Sequence, residues 1–383
     1  VSFLPKDAGT RAHQGHGAAC PCFSNYLLAI ILFFFKIVWL KKYILKTVGA
    51  EMKKHLIFFI AFTLISCNLF NPPGGSVIDI TYEKQILEDV SVVSIAFERD
   101  GTAWMGTLGG YETGLIRYGT DNTASFFTSQ NSILSDSSTI WDIAVDSDAR
   151  VWIANEGLVC YQNGSFTRYD SSNSPISVNN NVRSIAIDSN DKIWFVAGGL
   201  ISYDNLEFTV YTTANSDLPS ELIRDIKIDN DNNIWLLYPD MICKFDGDTW
   251  TSYSKSQLDL NSAPGMLGDI DINSENVICG ILDYSLSSLS SPAVGKPVAF
   301  TFDGITSNVA LGDSSSYFMS IFIDSDDNIW CTGIHSEIRV YNADNLNVFS
   351  KHDLDHSPFT IKESPDGKIW ISGGDDGVYI YRR

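Results

Sequence analysis

Several residue types on which whole classes of protein depend are scarce in this sequence. Seven cysteines and six histidines in 383 residues are too few for a disulfide-built scaffold. Lysine and arginine number 26 against 46 acidic residues, a net charge of −20. That balance argues against nucleic acid and against anionic membrane surfaces, because phosphate contacts require clustered cations. No apolar run reaches the ~20 residues a helix needs to span a bilayer. Glycine, at 28 residues, is far below a collagen-like share. What is present excludes disorder, since 44% hydrophobic and 12% aromatic content can bury a core. Length alone would suggest two or three domains.

The N-terminus reads differently from the rest. Residues 27–40 form one apolar run, interrupted by Lys36, and a second spans Leu56–Ile65 after Met52-Lys53-Lys54-His55. The second has a basic start, a ten-residue apolar centre and a small residue before a cut, the three parts of a secretory signal. Its end, Leu64-Ile65-Ser66-Cys67, resembles the bacterial lipobox, which implies that Cys67 is acylated and becomes the mature N-terminus. The expected organisation is an upstream segment at 1–51, a lipoprotein signal peptide at 52–66, a tether at 67–75 and a folded domain at 76–383. The rival is a membrane anchor at 27–40, against which Lys36 counts. His13, His16, Cys20 and Cys22 have zinc-like spacing but lie in the upstream segment. Residues 1–66 hold eight basic and two acidic residues, so 26 and 46 fall to 18 and 44, a net charge of −26. Acylation would fix the domain to a membrane. The absence of acidic residues from Asn68 to Gly75 favours an outer-membrane lipoprotein facing the periplasm.

The domain is a repeat. Seven segments align: Val92–Phe97, Ile140–Val145, Val182–Ile187, Ile223–Ile228, Leu267–Ile272, Phe318–Ile323 and Pro358–Glu363. Each is followed by an acidic turn and then, in six copies, by Trp104, Trp152, Trp194, Trp235, Trp330 or Trp370; the fifth copy is expected to carry Ile278 there. Short β-branched and aromatic runs between Asp, Asn, Gly and Ser turns indicate hairpin-connected strands. In the third copy they are expected at 182–187, 192–196, 200–203 and 208–211. About 45 residues per unit matches one four-stranded blade, giving an all-β, seven-bladed β-propeller of antiparallel blades. The seventh copy ends one strand short, and Val77–Tyr82 is expected to supply that strand and close the ring.

The pattern V-R-S-I-x-x-D-x-x-G/N-x-I-W-x-x-x-x-G-L-x-x-Y resembles the two-component regulator propeller repeat over residues 76–383. The resemblance implies a sensing propeller of the cell envelope, found in hybrid sensor kinases and in free-standing lipoproteins. No kinase, receiver or DNA-binding segment follows the repeats, so the signalling chemistry of that family is not carried over.

Candidate functional residues cluster where the loops between second and third strands meet the connections between blades. These are Tyr111, Glu112, Glu156, Tyr238, Asp240, His335, Glu337, Asp375 and Asp376, with Trp141, Arg183 and Arg224 near the channel mouth. Two arginines among carboxylates and aromatics could hold an acidic sugar or peptide; alternatively they pair with Asp142 or Asp225. The excursion Leu282–Pro297 could cap the same face. The tryptophans are read as packing between blades. The column Ser94, Asp142, Ser184, Asp225, Asp269, Ser320 and Thr360 is read as blade-to-blade hydrogen bonding. Asp229, Asp231, Asp324 and Asp326 begin like calcium loops but lack the distal glutamate, and serve equally as turn residues. Cys160, Cys243, Cys279 and Cys331 fall in different blades and are expected as buried free thiols.

Catalytic groups are few. His335, His352 and His356 are the histidines of the domain, and no motif around them matches the streptogramin lyases, whose seven-bladed repeat is similar. The expected function is therefore ligand or protein binding without chemistry and without a cofactor, calcium being the one ion its ligands would permit. The partner would be a glycan, a peptide or an envelope protein. A propeller enzyme resembling streptogramin lyase is the alternative.

Overall fold

The computed structural model describes residues 80–109, 114–135, 137–177, 181–260, 265–283, 298–305, 307–311, 318–333, 337–342, 348–353, 358–373 and 376–383. These residues form seven four-stranded antiparallel sheets and no helix. No helix among them is long and apolar enough to cross a membrane. The sheets are the blades of a seven-bladed propeller. Their inner strands are Val92–Phe97, Asp142–Val145, Ile185–Ile187, Asp225–Ile228, Met266–Ile272, Phe318–Ile323 and Ile361–Glu363. Each inner strand packs against the inner strands of the two neighbouring blades, the last against the first, so the ring is closed.

Burial follows from this arrangement. Second strands such as Val151–Asn155 and Ile234–Leu237 are buried at every residue, because both faces of a blade are covered by neighbours. Outer strands such as Ala124–Phe127 are mostly exposed. Each core cluster is shared between two blades. Trp152 of blade 2 packs with Ile185, Ile193 and Phe195 of blade 3, and Trp330 of blade 6 with Ile361 and Ile369 of blade 7. The tryptophans thus fill the wedges between blades, roughly 150–250 Å² of surface each.

The third blade has strands at Ile185–Ile187, Ile193–Val196, Leu200–Tyr203 and Phe208–Tyr211, close to the expected positions. A glycine precedes the third strand because the end of the fourth strand passes directly against it. Gly199 has φ +138, and a Cβ there would lie 2.7 Å from the Tyr211 carbonyl oxygen.

Ring closure differs from expectation in register. The strand that pairs with Val378–Arg382 is Thr81–Ile86, with Ile86 opposite Val378 and a bulge between Tyr82 and Lys84. The more apolar segment Val77–Tyr82 was expected, but the pairing runs from Thr81 to Ile86, with Ile86 the buried residue of the strand. The fifth blade also differs. Cys279 stands opposite Asp271 as Trp235 stands opposite Lys227, so Cys279 and not Ile278 occupies the tryptophan position. The four cysteines from 160 onward are free and buried, and burial pushes the Cys160 thiol up to about 11.

Candidate functional site

The inner strands begin at one end of the channel, here the upper end, and one repeat position forms its rim. That position holds Val93, Trp141, Arg183, Arg224, Gly268, Met319 and Phe359. In four blades its amide donates to the same point of the second strand: Trp141 to Ala154, Arg183 to Val196, Arg224 to Leu237 and Phe359 to Ser372, at 2.8–3.3 Å. In blades 1, 5 and 6 it falls in a register break of the inner strand, a bulge of the kind that re-aims side chains. Trp141, Met319 and Phe359 are 45%, 40% and 43% exposed. Single exposed apolar residues are ordinary. Three at one repeat position, in blades 2, 6 and 7, give this rim an exposed apolar character, and exposed apolar surface gathered at one place marks binding surfaces.

The cationic part of the rim adjoins it. The Arg183 guanidinium lies over the Trp141 ring, 5.3 Å from its centroid. Arg224 donates through Nη1 to the Leu267 carbonyl at 2.7 Å, reaching across to the next blade. Among the described residues neither arginine pairs with Asp142 or Asp225, which disposes of that alternative. Between them opens a cavity of about 510 Å³ lined also by Asn181, Glu221 and Leu222. The Glu221 carboxylate accepts from the amide and hydroxyl of Thr213 at 2.9 and 2.6 Å, and the Thr213 hydroxyl bond is the main cause of its lowered pKa.

Just inside the rim, the polar column bridges blades as the repeat implied. The Ser94 hydroxyl donates to the Ile140 carbonyl. Asp142 accepts from the Ile185 amide at 2.9 Å, Ser184 donates to Asp225 at 2.6 Å, and Asp269 accepts from the Ile321 amide at 2.9 Å. Lys227 pairs with Asp225 at 3.1 Å and keeps 27% side-chain exposure although the channel wall surrounds it. Burial opposes its charge, but Asp225, Asp269, Asp271 and Asp142 together raise its pKa. Burial is the largest influence on Asp225 and raises it, but Lys227 together with the Ser184 hydroxyl and the Ile226 amide lowers it overall. Burial, partly offset by Lys227, pushes Asp269 up to about 6.

The remaining candidates are dispersed. Glu156 is exposed and accepts from the Ser138 hydroxyl. Asp240 and Asp376 are exposed. Tyr238 is not at the surface. It is 1% exposed, and its hydroxyl donates to the Ser220 carbonyl at 3.0 Å, because its strand position faces the neighbouring blade; it supports the cavity wall beside Pro239. Tyr111, Glu112, His335 and Asp375 lie outside the described residues, as does most of Leu282–Pro297 and Cys67. Glu337 lies on the strand Glu337–Asn342. Met319 and Phe359 were missed in the sequence, although they occupy the same column of the repeat as Trp141 and Arg183, and reading down that column finds them.

The calcium-like turns are engaged otherwise. Asp229 accepts from the amides of Asp231 and Asn233, from the Asn233 side chain and from the Trp235 indole. Asp324 does the same for its turn and for Trp330. Asp231 accepts from Asn276, and Arg383 pairs with both Asp324 and Asp326 at 2.8 and 3.1 Å. No group of three metal-ligating side chains is placed together among the described residues.

No family model matches the chain, and no curated protein does. Among solved structures it is similar to a streptogramin B lyase, with TM-score 0.62, 15% identity, and 79% of this chain and 97% of that one covered. A catalytically inactive virginiamycin B lyase from Staphylococcus aureus with quinupristin gives 0.63 at 13% identity, covering 80% and 99%. The extracellular domain of a hybrid two-component system from B. thetaiotaomicron gives 0.59 at 17% identity, covering 82% of this chain and 41% of that one. At these identities the likeness establishes the fold. The chain spans nearly all of the lyases and less than half of the sensor's extracellular domain.

Proposed function

We propose that the protein is a lipid-anchored, envelope-facing binding module whose ligand lies across the upper channel mouth. The observation that carries this reading is the rim itself: exposed Trp141, Met319 and Phe359 continue into Arg183 and Arg224 around one opening. Such a surface suits a ligand with an apolar face and an acidic group, an acidic glycan or peptide, since guanidinium recognises carboxylate and aromatic rings cover ring or chain faces. Sensor extracellular domains of the same fold support an envelope location, and Cys67 supplies the anchor.

A thermal-shift and calorimetric screen of acidic and neutral glycans and peptides tests the binding. Replacing Arg183 or Trp141 by Ala is expected to weaken the identified ligand about tenfold, ~1.4 kcal/mol, without unfolding the ring. Unchanged affinity in both variants, or turnover that depends on His335 or His356, overturns the reading in favour of another site or of lyase-type chemistry. For the anchor, the Cys67→Ala variant expressed in cells should move from the membrane to the soluble envelope fraction. Retention in the membrane fraction refutes acylation at Cys67.

A further inference from the structure

At the lower end of the channel, the turns joining inner and second strands are laced together around the ring. The second turn residue of one blade donates its amide to the fourth turn residue of the next: Ser147 to Asp191, Ser189 to Asn232, Asn230 to Asn276 and Ser274 to Asp327, at 2.8–3.0 Å. Ser325 donates to Glu363 of blade 7 instead. The lacing fails on both sides of blade 1: Ala149, the fourth turn residue of blade 2, offers Arg99 no side-chain acceptor, and between blades 7 and 1 Pro365 has no amide hydrogen and Gly101 has no side chain.

The same turn of blade 7 breaks a second rule. Five tryptophans donate their indole hydrogen to the first turn residue: Trp104 to Glu98, Trp152 to Asp146, Trp194 to Asp188, Trp235 to Asp229 and Trp330 to Asp324, at 2.8–3.1 Å. In blade 7 that residue is Ser364. Its hydroxyl is committed to Asp366 and Lys368, and the Trp370 Nε1, on a side chain buried to 7% exposure, has no hydrogen-bond partner among the described residues. Leaving a buried donor without a partner is unfavourable, so the position calls for an acceptor.

Both irregularities meet at one cavity. It has a volume of about 340 Å³ and is lined by Ser364 and Trp370 together with Lys84, Arg99, Tyr118 and Lys368. Its charged lining is Lys84, Arg99 and Lys368 against Asp100 and Asp366; Lys368 is paired with Asp366 at 3.0 Å and with Glu83 at 3.5 Å, so Arg99 and Lys84 carry the positive charge open to a ligand. The Asp100 carboxylate is held by the Thr102 amide. Tyr118 stands edge-on to Trp370 at 6.1 Å, giving the cavity an aromatic wall.

We propose that this cavity binds a small carboxylate, its carboxyl group taking the acceptor position at Trp370 Nε1 that Asp or Glu fills in five other blades, with Arg99 and Lys84 matching its charge. The site is at the opposite end of the channel from the rim and does not depend on that reading. The ligand class is a carboxylate, whose source is either a sugar acid or an acidic peptide.

Indole N–H resonances of the ¹⁵N-labelled protein provide the test, with D-galacturonate, an Asp-Gly dipeptide amidated at its C-terminus, and galactose and likewise amidated Gly-Gly as counterparts without a carboxylate. The Trp370 resonance is expected to move with at least one of the two acidic probes, and which one moves it identifies the source. The Trp141 resonance reports the rim separately. Ser364→Asp supplies the acceptor from the protein itself, so it should raise the melting temperature and weaken the active probe at least tenfold. Arg99→Ala, at an exposed side chain, should weaken the same probe severalfold with the melting temperature unchanged, and decides the matter if the first variant does not fold. The proposal fails if neither acidic probe moves Trp370, if galactose or Gly-Gly moves it equally, or if both variants bind as tightly as the original chain. A higher melting temperature for Ser364→Asp without any probe bound by the original chain means that solvent alone serves Trp370, and also overturns it.

Discussion

A buried indole needs an acceptor, and this repeat supplies it by a turn carboxylate six residues earlier. The same carboxylate also caps the turn, so one side chain fixes both the hairpin and the tryptophan that wedges the blades apart. Asp229 shows the load: four donors converge on a group only 6% exposed. Asp229→Ala is therefore expected to cost about 3 kcal/mol in a urea melt, from stranded buried donors and a loosened turn. A loss under ~1 kcal/mol would show that the turn holds without it. Blade 5 has Asn273 at this position and Cys279 in place of the indole, a matched pair of changes. Counting six residues on from Asn273 reaches Cys279; spacing from apolar neighbours reached Ile278. Tyr238 was misplaced for a related reason, since a tyrosine just before a loop reads as exposed, whereas strand alternation and its bond to Ser220 bury it. The rim residues Trp141, Arg183 and Arg224 were legible because a large or charged residue interrupts an otherwise apolar column. Met319 and Phe359 were not, because they look like core.

At the scale of elements, legibility depends on how much a strand buries. Inner and second strands are covered on both sides, so they carry dense apolar patterns and tight turns with residues at positive φ, such as Asp191, Asn232 and Asp327. Their count and order follow from the sequence. The outer strands bury little, and the closing strand Thr81–Ile86 buries only Ile86, so its register had almost no apolar signal and was set instead by pairing with Val378–Arg382. The connections between blades carry a signal that periodicity does not reveal. In the first three blades an Asn-Ser pair winds the loop, with Asn131, Asn173 and Asn215 each accepting from an amide three residues earlier. This local closure brings each new inner strand to the rim at the same height, which is why one sequence column becomes one ring of side chains.

For the whole molecule the acid excess divides into two populations with opposite responses to pH. Carboxylates in outer turns are held ionised by local hydrogen bonds: the Thr249 hydroxyl and amide bring Asp246 down to about 2, and Asp121 and Asp204 are lowered in the same way. Their stabilisation is present above about pH 4 and is lost only as pH falls toward their lowered values. In the channel, burial dominates at Asp142 and Asp269, raising both. A carboxyl with a native pKa near 6 against 3.8 unfolded binds its proton more tightly when folded, so its contribution to stability declines as pH rises from about 4 to about 6. Lys227 counters this from the same wall but stays charged throughout that range. Asp269→Asn keeps an acceptor for the Ile321 amide while removing the titration. The stability of the variant relative to the original chain should thus increase between pH 4.5 and 7.5, by about 2 kcal/mol given ~1.4 kcal/mol per pKa unit. Denaturant melts at the two pH values measure it. A difference that stays constant would mean that Lys227 already neutralises Asp269 across the range, and that the channel wall is not the origin of any pH response.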